Sequence, residues 1–172
     1  MVAVVWITEG TWEACIEQAR SVIPDDAEVR LVHVSPSDVE DLVGEGAGGL
    51  LGRRPAPPPQ RAVRTIAAHE ARALLEQARA RLSRPAALLA LRGHPERELP
   101  RVCADADLLL MARDRELRPG PKSLSHETRF IVDHSPCALL LIWPQEPAGF
   151  NTVKLPPHLR GERGRPGERG RP

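Results

Sequence analysis

Arg113, Arg115, Lys122, Ser123, Ser125 and His126 crowd into one short stretch that follows the apolar run Leu108-Leu109-Leu110-Met111. These residue types at this spacing suit anion binding. Arginine offers bidentate contacts to phosphate or carboxylate, and Ser125 stands where a helix would begin, with a dipole that favours negative charge. Asp114 and Glu116 offset part of the positive charge.

Other chemistry-bearing residues read more plainly. Gly44, Gly46, Gly48, Gly49 and Gly52 are followed by Pro55, Pro57, Pro58 and Pro59. A phosphate loop needs a strand directly before it, a Gly-Lys-Ser or Gly-Lys-Thr ending and a helix opening on its last glycine. None of these is found here, so residues 35–60 read as a mobile Gly/Pro-rich insertion with at most a helical turn over 38–42. Cys15, Cys103 and Cys137 are odd in number, widely spaced and without a CxxC, which argues against a disulfide framework or a zinc site. Cys103 and Cys137 read as buried small apolar residues. His33 and His134 read as structural, His94 as a turn or cap residue, and Trp6, Trp12 and Trp143 as packing.

A chain of 172 residues suits one core better than two. Hydrophobic content of 41% with only 3% aromatic residues requires an aliphatic core. The formal charge of +1 leaves no strong nucleic-acid footprint. No apolar run approaches the roughly 18 residues of a membrane helix, and the first residues read as a strand, not a signal peptide. A cytoplasmic location is expected.

The anion-binding set must be positioned by alternating strands and helices. Residues 2–7 form a continuous apolar run, the pattern of a strand buried on both faces. Trp12, Cys15, Ile16, Ala19 and Ile23 recur at helical spacing after Thr11, an N-cap residue. A second strand follows over 27–34, and the unit is βαβ with right-handed crossover. A long Ala/Arg/Leu helix is predicted over 61–83, with Ile66, His69, Ala73, Leu74, Ala78 and Leu82 near one face and a solvated arginine-rich face opposite. Strands over 86–91, 107–111 and 137–143 alternate with a short helix from 95 to about 104 and another over 125–134. Pro100 either sits in the first turn of a helix starting near Glu98 or kinks one starting at Pro95. Beyond 144 the Gly-, Pro- and Arg-rich composition predicts a disordered tail.

At three places the chain resembles the universal stress protein family. The first strand and helix match in pattern. Arg92-Gly93-His94-Pro95, followed by Ala104-Asp105-Ala106-Asp107-Leu108-Leu109-Leu110-Met111, is similar to the family's G-x-P and A-D-L-I-V-M-G passage. Asp133-His134-Ser135-Pro136-Cys137 before the last strand is similar to H-A-P-C-P-V-L. The resemblance covers roughly residues 1–143 without the insertion, and divides the chain into a domain over 1–144 and a tail over 145–172. The alternation β-α-β-α-β-α-β-α-β gives an open, doubly wound, five-stranded parallel sheet, and the resemblance implies that it is of the Rossmann-like, adenine-nucleotide alpha-hydrolase-like kind. Nucleotide-binding relatives wrap the phosphates with G-x2-G-x9-G-[S/T], because glycine lets backbone N–H groups approach and tolerates positive φ. The matching positions here are Ala112, Arg115, Ser125 and His126, none of them glycine. The family's acidic residue at the end of the first strand falls on Ile7 or Thr8, with Glu9 as a shifted substitute.

The resemblance therefore implies a non-enzymatic stress-response or regulatory module without a cofactor, lacking the standard ATP grip. A two-fold homodimer is implied through the last strand, from Cys137 to Trp143, with a further protein partner and with neither membrane nor specific nucleic acid as partner. The alternative is a nucleotide-binding regulator or weak ATPase holding ATP or ADP with Arg115, Lys122 and Ser125. A third alternative is a flavodoxin-like fold binding a flavin phosphate.

Overall fold

The structure, a computed structural model, describes residues 1–36, 60–115 and 121–145. The expected insertion falls mostly, and the expected tail almost wholly, outside these residues. The elements are β1 (Val2–Trp6), α1 (Trp12–Val22), β2 (Glu28–Ser35), α2 (Gln60–Leu82), β3 (Ala87–Arg92), α3 (Pro95–Val102), β4 (Leu108–Ala112), α4 (His126–His134) and β5 (Ala138–Ile142). A 3-10 turn, Pro121–Ser123, precedes α4. Most boundaries differ from the sequence-based expectation by one residue or so, the usual fraying of element ends.

All strands are parallel, in the order β3-β2-β1-β4-β5. The flavodoxin-like alternative is thereby corrected, since that fold runs 2-1-3-4-5. Alternation along β1 divides the core into two layers. Ala3, Val5 and Ile7 pack with Cys15, Ile16 and Ala19 of α1 and with Leu75, Ala78 and Leu82 of α2. Val4 and Trp6 face the other way, onto Leu99 of α3, Cys103 and Ile131 of α4. A strand buried on both faces must be apolar throughout, which is why 2–7 shows no polar alternation.

The packing face of α2 is rotated from the expected one. Ala71, Leu75, Ala78 and Leu82 are buried, whereas Ile66 is 57% exposed. The start of the helix lies by the carboxyl ends of β2 and β3, where Ile66 lines an open cavity with Ser35 and Leu91 instead of meeting the sheet. Ser83, at φ 59°, ends the helix in the left-handed region. Just past the helix, the Arg84 guanidinium donates to the carbonyls of Ile23, Pro24 and Ala27 at 3.1, 2.8 and 3.1 Å. Pro100 lies inside a helix that begins at Pro95, so of the two expected starts the one at Pro95 is observed. Thr11 occupies the N-cap of α1 without a side-chain capping bond, because its hydroxyl pairs with that of Thr8.

Arg30 joins the sheet to the loop before β4, donating to both oxygens of Asp105 at 2.7 and 3.0 Å and to Glu28 at 2.8 Å. The Arg30 hydrogen bond holds the Asp105 carboxyl below its ordinary range, and the backbone N–H of Glu127 with the Ser125 side chain does the same to Glu127. A depressed folded-state pKa gives stability that is present above the unfolded value and is lost as pH falls through the folded one. Urea unfolding between pH 6 and pH 2 is expected to show this loss setting in below the ordinary values of 3.8 and 4.5. Asp105→Asn should flatten the acid limb; a limb of unchanged slope would leave the Arg30 pair without a part in it.

Candidate functional site

The order of the strands reverses between β1 and β4, and in an open α/β sheet the ligand crevice lies beyond the carboxyl ends of the strands at such a switch point. A cavity of about 970 Å³ occupies that place. Behind β1 the chain passes through Thr8 and Glu9 before turning into α1; behind β4 it passes from Ala112 through Asp114 and Arg115. All six residues singled out in the sequence, Glu9, Ala112, Arg115, Lys122, Ser125 and His126, line the cavity. Glu9, Arg115, Lys122 and His126 are exposed there, and Ala112 and Ser125 are buried in its wall.

Arg113 and Ser123 belong elsewhere, which corrects the expected anion set. The Arg113 guanidinium lies over the Trp143 ring, 4.5 Å from its centroid, and donates to the hydroxyl of the fully buried Ser123. A cation stacked on a partly buried indole braces the turn against the end of β5. Arg113 N–H also donates to the Ile142 carbonyl at 2.8 Å, extending the β4–β5 pairing.

Asp114 has a role that the sequence did not indicate. Its carboxylate accepts from the Ser125 N–H at 2.8 Å and from the Thr128 hydroxyl at 2.7 Å. Ser125 in turn caps α4, its Oγ accepting from the Thr128 N–H at 3.0 Å. The N-terminus of α4, where the helix dipole and free N–H groups would hold an anion, is thus held by an anion of the chain itself. Eleven positions separate Asp114 from Ser125, so no local capping pattern announces the contact. Thr128, fully buried, was missed for the same reason.

The remaining wall mixes hydrogen-bonding groups of both kinds. Trp6, His94 and Glu96 also line the cavity. Trp6 is only 7% exposed, and its Nε1 and the Glu96 Oε2 are buried without a hydrogen-bond partner. Cationic Arg115 and Lys122 face carboxylates from Glu9, Glu96 and Glu127, so the crevice has no single sign of charge. Glu9 also borders the second cavity, of about 660 Å³, whose wall includes His33. His33 Nδ1 is bonded to the Ile7 carbonyl at 2.8 Å, and His134 Nδ1 to that of Phe130 at 2.8 Å; both rings thus have backbone partners. Among the described residues no group of three or more His, Cys, Asp or Glu is placed to hold a metal ion, and no helix is long and apolar enough to cross a membrane.

No protein-family profile matches the sequence, and no curated protein matches it either. Solved structures do match. The hypothetical protein MJ0577 superposes with a TM-score of 0.61 at 15% identity, over 82% of this chain and 94% of that one. A universal stress protein in complex with cAMP gives 0.55 at 12% identity, over 84% and 98%. The universal stress protein UspA from Lactobacillus plantarum gives 0.52 at 14% identity, over 83% and 97%. This chain has the universal stress protein fold. The match takes in 82–84% of this chain and nearly the whole length of each neighbour. Within that fold, Ala112, Arg115, Ser125 and His126 surround the crevice at the switch point, and Asp114 closes on the helix that begins there.

Proposed function

We propose that this chain is a non-enzymatic stress-response or regulatory interaction module whose crevice has lost the standard adenine-nucleotide phosphate grip. One observation carries the reading: the Asp114 carboxylate sits on the Ser125 N–H and the Thr128 hydroxyl. A phosphate arriving at the N-terminus of α4 would meet a like charge and would have to displace two charge-assisted hydrogen bonds, each of the stronger class. Ala112 adds to this, since it puts a Cβ where a glycine would let backbone and phosphate approach.

The working surface is then the protein's exterior, in a cytoplasmic setting. β5 is an edge strand, and its residues from Leu139 to Ile142 are apolar and half-exposed. A long apolar edge demands a cover, and a second copy paired through β5 supplies one with two-fold symmetry. The other reading is a nucleotide-binding regulator; what favours it is the size of the crevice and the two cations, Arg115 and Lys122, on its wall. One of the structural neighbours holds cAMP, so that ligand belongs in the test.

Calorimetric titration of the purified chain with ATP, ADP, AMP and cAMP, with Mg²⁺ at moderate salt, is expected to give no heat up to millimolar ligand. Micromolar binding that Arg115→Glu abolishes would overturn the proposal in favour of the nucleotide regulator. Sedimentation of the same samples is expected to give twice the chain mass; a monomer at the same concentration would remove the β5 pairing.

A further inference from the structure

Cys103 and Cys137 are 34 positions apart in the chain, and nothing in their spacing relates them. The fold brings them together. Cys103 follows the last turn of α3, its N–H bonded to the Leu99 carbonyl at 3.0 Å, and its side chain is buried at 1% exposure. Cys137 leads into β5 and is partly accessible. Both pack in the core layer between the sheet and α3 and α4, and Cys137 is near enough for its thiol to bear on that of Cys103. The Ser135 hydroxyl lies 3.7 Å from the Cys137 sulfur and also donates to the Cys137 carbonyl at 3.2 Å, fixing the turn that presents it. Cys15 lies in the opposite layer, with the sheet between it and the pair.

We infer that Cys103 and Cys137 are a thiol-oxidation site that closes to a reversible intramolecular disulfide on reaction with a low-molecular-weight disulfide. The accessible Cys137, as thiolate, attacks one sulfur of the small disulfide and releases one equivalent of small thiol, leaving a mixed disulfide on Cys137. Cys103, as thiolate, then attacks the Cys137 sulfur and expels the second equivalent. Two protein thiols are oxidised, one small disulfide is reduced to two thiols, and both protein protons end on those thiols. Burial, and then the neighbouring Cys137, push the Cys103 thiol up to about 12. That makes Cys103 the resolving partner rather than the attacking one. The cross-link ties the end of α3 to the start of the edge strand and encloses the loop that carries Asp114, Lys122 and Ser125.

The test treats the full chain with excess oxidised glutathione and maps a non-reducing digest by mass spectrometry. The expected product is a peptide joining the Cys103 and Cys137 segments, with a chain mass lower by two hydrogens, reversed by dithiothreitol. Closure of a loop this long should raise the thermal midpoint by roughly 5 °C, in the wild type and in Cys15→Ser alike, and this rise should vanish in Cys137→Ser. A stable glutathione adduct at Cys137 without the cross-link would overturn the inference. So would a link that includes Cys15, one between two chains, or no reaction at either thiol. The digest needs no variant, so a misfolded substitution does not blunt the result.

Discussion

Replacing Asp114 with alanine is expected both to loosen the start of α4 and to open it to anions. The substitution removes an acceptor from the Ser125 N–H and from the Thr128 hydroxyl. A buried donor left without its partner costs about 1–3 kcal/mol, and Thr128 is fully buried. The Asp114 side chain itself is exposed, so solvent recovers part of this, and a net loss of about 1–2 kcal/mol is expected in urea unfolding. The Ser125 cap to the Thr128 N–H stays in place, which keeps the helix formed. The same variant tests the function: with the internal carboxylate gone, ATP should give heat at ligand concentrations where the wild type gives none. Asp114→Asn, which retains an acceptor oxygen but no charge, should lie between the two in stability. A variant as stable as wild type, with no gain in anion binding, would mean that Asp114 neither braces the helix nor blocks the crevice.

Leu110→Ala is expected to cost more, about 3–4 kcal/mol. Leu110 is fully buried in β4, its Cα partner in the register is Val5 of β1, and it packs in the layer that contains Cys15, Ile16 and Leu75. Three strands and two helices converge there, so the walls cannot collapse into the space left by the missing carbons, and the cavity term adds to the transfer term. The loss is large against the 5–15 kcal/mol that holds a domain of this size. Leu108→Ala, at the partly buried start of the same strand, should cost clearly less. Denaturant unfolding with an unchanged slope checks both; equal losses at the two positions would mean that the layer is not packed as described.

How much of this was legible in advance depends on the range of the interaction that decides each feature. Strand β1 was plain because burial on both faces leaves a run with no polar residue. α1 was plain because Cys15, Ile16 and Ala19 recur at the helical period. The crevice was legible as well, since the strand-loop-helix frame from Leu108 to His126 carries Ala112, Arg115, Ser125 and His126 to the carboxyl end of β4 whatever the side chains do. The face of α2 was not: a helix rich in alanine has several apolar stripes, and which of them is buried depends on where the helix starts relative to the sheet edge, as exposed Ile66 shows. Pro100 could be read two ways, because a proline marks a local irregularity without saying where its helix begins.

By itself, then, the sequence determined the α/β alternation, the doubly wound fold and the location of the crevice, since all three follow from periodicity and short-range backbone chemistry. The tertiary structure alone decided what fills and borders that crevice. It turned Arg113 onto Trp143, placed the Asp114 carboxylate on the helix that begins eleven residues later, and made Cys103 and Cys137 neighbours in one core layer. Each of these is a placement of side chains set by the docking of separate elements, and side-chain direction at that range is recorded in no local pattern of the chain.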